Sequence, residues 1–196
     1  MWGVSAVAAS LDEPADRLAK DHGDGKAMRA LEDAGNVLPI AALGFSGLAF
    51  LAAEDPTLAR ASFASLEAGA VGLVSAVGLK YAIGRARPEA NEGIGAFTPL
   101  SRANGDSGFP SVHATVAWAA LTPYAKAYDA PWLYGLAAMT NLARIGERKH
   151  WFSDTVAGAL LGYGLGSLFW DSRRQGRNTP TLHLAPGEVS LEWKTP

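Results

Sequence analysis

The sequence predicts an all-α fold, a helical bundle of about five apolar core helices preceded by short amphipathic helices. Three observations carry this expectation. Long stretches dominated by Ala, Leu, Gly and aromatics recur along the chain without the alternation of a half-buried strand. Proline, glycine and capping residues punctuate the gaps between them. Finally, 48% hydrophobic against 18% charged residues describes an ordered, rather apolar chain of 196 residues, long enough to bury one sizeable core.

The opening MWGVSAVAAS is apolar but lacks a basic start and is short for a secretory leader, so the remnant of a leader and an ordinary N-terminus both stay open. SLDEPADRLAKDHG follows with a capping-box pattern, Ser10 and then Glu13 three residues later, and predicts a short amphipathic helix. A second polar helix, about Lys26 to Ala34, is expected to end at Gly35. Five apolar helices come next, over Asn36–Ala53, Ser62–Leu79, Ser111–Tyr124, Ala130–Ala143 and Thr155–Trp170. The connection Pro88–Pro110 is long and rich in Gly, Asn and Pro, the kind of loop that in a compact domain is usually either functional or disordered. Its Phe97, Leu100 and Phe109 are candidates either to gate a site or to anchor the loop. After the basic DSRRQGR segment, TLHLAPGEVSLEW alternates around Pro186-Gly187 and is compatible with a small β-hairpin. The expected organisation is one helical domain over residues 1–175 and a tail over 176–196.

A membrane span needs about 20 mostly apolar residues. Asn36–Ala53 comes nearest with 18 uncharged residues, and Thr155–Trp170 offers 16. Ser62–Leu79 carries Glu67, and Ser111–Tyr124 carries His113. With a mean hydropathy of +0.06, a globular bundle and a bundle of short spans packed through small residues both stay open. The absence of cysteine removes disulfides, thiolate metal sites and cysteine nucleophiles. A net charge of −2 recommends no nucleic acid as partner, so any phosphate recognition must be local.

The informative polar residues sit where the helices end. In LKYAIGRARP, Lys80 and Arg87 are seven residues apart, two helical turns, and Pro88 closes the segment. In GFPSVHATV, Ser111 can cap a helix whose first turn holds Val112 and His113, and a helix N-terminus offers free N–H groups to a phosphate. In ARIGERKHWFSD, Arg144 precedes His150, and Asp154 lies four residues further on, close enough to reach the imidazole if that turn is helical. Gly146 ends one helix there, and Ser153 or Asp154 can cap the next. Taken singly, each group has an ordinary explanation: cations snorkelling at a terminus, a cap, an ion pair.

Together, in this order and with these separations, the segments resemble the type 2 phosphatidic acid phosphatase superfamily, which also holds bacterial acid phosphatases and vanadium haloperoxidases. The resemblance runs from about Lys80 to Asp154 and continues into the Ala/Gly-rich stretch that follows. It implies a metal-independent, cofactor-free hydrolysis of a phosphate monoester or diphosphate through a phosphohistidine. His150 would be the nucleophile, Asp154 its orienting partner, and His113 the acid and then the base. Lys80, Arg87 and Arg144 would neutralise the phosphate oxygens, with Ser111 and the Val112 N–H completing the cradle. The implied substrate is a phosphorylated lipid or small molecule. The implied location is a bacterial cell envelope, with the site facing the periplasm or the exterior, in an integral membrane or a soluble protein. Two residues depart from the family pattern: Val112 stands where glycine is common, and Ala143 where serine is common. Arg85, Arg148 and Lys149 are read as solvated charges nearby. Three rivals are a vanadium-dependent haloperoxidase, a catalytically silent phosphate-binding module, and a metal site of His113, His150 and Asp154, which the surrounding cations disfavour.

Overall fold

Capping chemistry sets several of the helix boundaries. The computed structural model describes residues 9–22, 25–101, 104–174, 180–185 and 188–193. The fold is all-α, with α1 (Asp12–His22), α2 (Lys26–Ala52), α3 (Pro56–Ile83), α4 (Val112–Ala127), α5 (Trp132–Gly146) and α6 (Phe152–Arg174). Asp55 starts α3 by accepting from the N–H groups of Thr57 (3.1 Å) and Leu58 (3.0 Å), with Pro56 at the first helical position. Gly84 stops it in the left-handed conformation, φ +62°. A Cβ there would overlap the Thr98 carbonyl oxygen, so glycine is what allows the following loop to fold back over the helix end. The Pro88–Pro110 connection holds two 3-10 turns, Pro88–Ala90 and Asn104–Asp106, and an isolated bridge between Arg85 and Phe97. Strands β1 (Pro180–Ala185) and β2 (Glu188–Trp193) form an antiparallel hairpin, whose expected turn at Pro186-Gly187 lies outside the described residues, as does most of the MWGVSAVAAS opening.

Two helix boundaries differ from expectation. Residues 9–10 are already helical, so Ser10 is not an N-cap. Gly35 does not end a helix: α2 runs unbroken from the polar Lys26 segment through Gly35 and Pro39 to Ala52. A side chain at Gly35 would collide with the Ala143 Cβ and meet Thr140 Cα at 3.3 Å. Glycine serves here for close approach of α2 to α5, a use the pattern cannot tell from termination. Ala143, one of the two departures noted above, is the small residue on the other side of that contact.

Helix α4 is the axis of the bundle, packed by α2, α3, α5 and α6. Nearly every residue from Ala114 to Ala125 is buried, which accounts for its all-round apolar composition. Helix α6 approaches α4 through a stripe of glycines at four-residue spacing, Gly158, Gly162 and Gly166. A Cβ at Gly162 would strike the Thr115 carbonyl and lie 2.9 Å from both Ala119 N and Trp118 Cβ. Gly164, on the opposite side, has open space. Gly162→Ala is therefore expected to destabilise the fold by roughly 1–3 kcal/mol through overpacking. Gly164→Ala is expected to be neutral or slightly stabilising, and thermal unfolding midpoints of the two variants check the contrast.

Between α2, α3 and α4 lies a cluster of buried hydroxyls. Tyr124 Oη is 3.0 Å from Ser46 Oγ and 2.9 Å from Ser62 Oγ. Ser46 Oγ is 2.8 Å from Ser65 Oγ, which donates to the Ala120 carbonyl at 2.9 Å. Glu67, the charge within the apolar part of α3, pairs with Arg173 of α6, whose guanidinium lies 4.8 Å from the Phe63 ring centroid. The outer faces are a different matter. Ile40 (74% exposed), Leu48 (71%) and Val74 (73%) stand out from α2 and α3, with Leu160 and Leu168 of α6 beside them in character. Both α2 and α3 are long and apolar enough to cross a membrane.

Candidate active site

The site is assembled from four helix ends: the C-termini of α3 and α5 and the N-termini of α4 and α6. Ser111 caps α4, its hydroxyl accepting from Ala114 N at 3.4 Å, while its own N–H donates to the Asp154 carbonyl at 3.0 Å. That second bond ties the start of α4 to the start of α6. Val112 and His113 form the first turn of α4. Lys80, in the last turn of α3, donates to the carbonyls of Ser107 and, at 3.5 Å, Gly108. Arg87 follows the end of α3, its backbone N–H bonded to Gly105 O at 2.9 Å and its guanidinium 3.4 Å from Glu89.

His150 is buried, 3% exposed, in the link between α5 and α6. Its Nδ1 lies 2.6 Å from the Gly108 carbonyl oxygen. A carbonyl only accepts, so the proton belongs on Nδ1 and the lone pair on Nε2. Burial pushes this imidazole down to about 4, with Asp154 opposing and Lys80 and Arg144 adding to the shift. His113 is likewise lowered to about 4, first by desolvation and then by Arg144, Lys80 and Arg87. Both rings are thus neutral at pH 7, and the three cations all act on His113. The Nε atoms of Arg87 and Arg144 are buried with no hydrogen-bond partner, which is the donor set an anion would use.

Asp154 is fully buried in the first turn of α6. Its Oδ2 is 3.7 Å from His150 Nδ1, beyond a direct hydrogen bond, and accepts instead from Trp151 N at 2.9 Å. Its Oδ1 accepts from Arg85 Nη1 at 2.6 Å. Arg85 is therefore no solvated charge: it is 6% exposed and lies 5.5 Å from the Trp151 ring and 5.7 Å from the Phe97 ring. Its adjacency to Arg87 disguises this in the sequence, because burial comes from elements far along the chain. Arg148 is also engaged, with Nε 2.7 Å from Asp16 and Nη2 2.7 Å from the Pro88 carbonyl. Lys149 pairs with Glu89 at 2.5 Å and is 37% exposed, near to the solvated reading.

Arg144 is not idle either. Its Nη1 bonds Glu147 and, at 2.5 Å, Asn36 Oδ1, and Asn36 Nδ2 in turn donates to Glu147 at 2.5 Å. Asn36, Glu147, Asp12 and the Gly108 carbonyl are neighbours that sequence reasoning missed. Asn36, Asp12 and the Gly108 carbonyl act across tens of residues, where no local pattern marks them, whereas Glu147 pairs with Arg144 three residues away, a spacing the sequence does show. In sum, the structure brings Lys80, Arg87, Ser111, Val112, His113, Arg144, His150 and Asp154 to one end of the bundle, with Asp154 one step back from the imidazole.

Comparison with known proteins gives the family of the chain. Lipid A 1-phosphatase of Porphyromonas gingivalis is 31% identical over 100 residues, covering 47% of this chain and 20% of that protein. No solved structure matches. The family model of the PAP2 superfamily matches residues 61–177, a span that takes in every site residue from Lys80 to Asp154. With more than half of its length matched, the chain belongs to the PAP2 superfamily.

Proposed function

We propose that the chain hydrolyses a phosphate monoester or diphosphate of a lipid, without a metal, through a phosphohistidine on His150. The observation that carries this reading is the Nδ1 contact of His150 to Gly108 O, which leaves Nε2 unprotonated beside Lys80 and Arg144. In the first step Nε2 attacks phosphorus, the bond to the leaving oxygen breaks, and His113 donates a proton to that oxygen. In the second, His113 takes a proton from water, the hydroxide attacks phosphorus, and the P–N bond returns its electron pair to Nε2. Arg87, Arg144, Lys80 and the start of α4 neutralise the non-bridging oxygens, which is most of what phosphoryl transfer asks of a protein. His113 is neutral at rest, its pKa lowered first by burial and then by Arg144, Lys80 and Arg87; a bound phosphate dianion offsets the cationic part of that shift and favours the protonated ring.

Two things support a lipid substrate: the exposed aliphatic faces of α2 and α3, which fit a bilayer, and the likeness to a lipid A phosphatase. The site end would then lie at the aqueous face of a bacterial envelope membrane. Phosphate release by purified protein in excess chelator, from a detergent-dispersed lipid phosphate and a water-soluble aryl phosphate, tests the reading. Retained turnover with the lipid preferred is expected. Turnover abolished by chelator would remove the metal-free mechanism, and preference for the aryl ester would remove the lipid. Halide oxidation appearing only on addition of vanadate would favour the haloperoxidase.

A further inference from the structure

Helix α1 is amphipathic in an unusual sense: the face it buries is acidic. Asp12 (1% exposed), Asp16 (9%) and Ala19 (6%) point inward, whereas Leu11 and Leu18 are exposed. An aspartate is rarely buried without a dedicated partner, so its surroundings identify its task. Asp12 Oδ2 lies 2.8 Å from Arg85 Nη2 and 2.7 Å from Ser153 Oγ, and Asp12 Oδ1 accepts from Ser153 N at 2.7 Å. The second amino group of Arg85 holds Asp154 Oδ1 at 2.6 Å and Ser153 Oγ at 2.7 Å. One guanidinium fork thus bridges two fully buried carboxylates, one from α1 and one from the first turn of α6, four residues past His150.

We propose that Asp12 is a positioning residue for the reaction at His150, acting through Arg85 on Asp154; this rests on the phosphohistidine reading above. Two carboxylates share one guanidinium, so the trio keeps a net negative charge. Asp154, the member nearest the imidazole, then retains charge to stabilise the cationic ring that exists while phosphorus is bonded to Nε2. Without the Asp12 carboxylate, Arg85 serves Asp154 alone and neutralises it more completely. The N–H of Ser153, at the positive end of α6, loses its acceptor at the same time. None of these atoms belongs to the phosphate cradle, so the effect falls on turnover rather than on binding.

The test uses the full chain in detergent, with steady-state kinetics on an aryl phosphate, competition by inorganic phosphate, and a thermal midpoint for each variant. Asp12→Asn keeps the shape but sets an amide N–H against Arg85 or Ser153. Arg85→Lys keeps the charge but loses the fork. Asp16→Asn removes the neighbouring buried carboxylate of α1, which bonds Arg148 and Lys20 and touches neither Arg85 nor Asp154. Both Asp12→Asn and Arg85→Lys are expected to lose kcat on the order of 10- to 100-fold. In both, KM and the inhibition constant of phosphate should stay within about twofold, and Asp16→Asn should keep kcat within the same margin. Unchanged kcat in Asp12→Asn, an equal loss in Asp16→Asn, or a parallel rise of KM and the phosphate constant would each overturn the proposal. Should Asp12→Asn not fold, Arg85→Lys decides: normal kcat there overturns the relay. A wild type with no His150-dependent turnover overturns the phosphatase reading and this proposal together, whereas an active wild type beside an unaffected Asp12→Asn overturns this proposal alone.

Discussion

His150→Ala is expected to lower phosphate release by a factor on the order of 10⁴ to 10⁶, the range seen when a covalent nucleophile is removed from a preorganised site. The loss should fall on kcat, because the imidazole is the attacking group and Lys80, Arg87 and Arg144 still bind the phosphate. The fold should survive. The Gly108 carbonyl that loses Nδ1–H still lies 3.5 Å from Lys80 Nζ, and Trp151 N keeps its bond to Asp154. Phosphate release by both proteins, together with an acid-labile, base-stable phosphoryl label trapped on the wild type alone, checks the expectation. Turnover retained in a folded His150→Ala protein ends the phosphohistidine mechanism.

His113→Ala should show an effect that depends on the leaving group. With an alkyl or lipid phosphate the departing alkoxide needs its proton, and the loss of a general acid costs about 10²- to 10⁴-fold. An aryl phosphate with an acidic phenol leaves unaided, so its first step should be nearly intact. The second step then lacks a base, and phenol should appear as a burst equal to the enzyme present, followed by slow turnover. Rapid-quench measurements on both esters make the comparison. An equal loss on both, with no burst, would show that His113 does not handle the proton.

The residues that turned out legible in the sequence are those whose meaning is local. Apolar stretches without alternation mark the bodies of α2 to α6, although α2 begins well before its apolar part, at Lys26, and α3 begins at Pro56 rather than Ser62; Pro110-Ser111 announces the start of α4 because a cap is a short-range device. Gly35 was misleading because termination and close approach ask for the same absent side chain, and only the presence of Ala143 on another helix separates them. Arg85 was misread for a related reason. Its two carboxylates lie 73 and 69 residues away, and nothing in GRARP records them. The same holds for Asn36, which reaches Arg144 across 108 residues. The acidic inner face of α1 is visible in the spacing of Asp12 and Asp16, but a pair of acids four apart ordinarily means a solvated face.

The hydroxyl cluster around Tyr124 has a consequence for catalytic tolerance. Ser46, Ser62 and Ser65 match their partners at one axial setting of the three helices, whereas alanine against alanine would fit almost as well one turn higher or lower. A slip of that size carries α4 along its axis by about 5.4 Å, and even one residue is about 1.5 Å. Ser111 and His113 stand at the far end of the same rigid rod from Tyr124. The three serines and the tyrosine therefore act as a detent, and the height at which His113 meets the substrate is set about three turns away, by groups that never touch a phosphate.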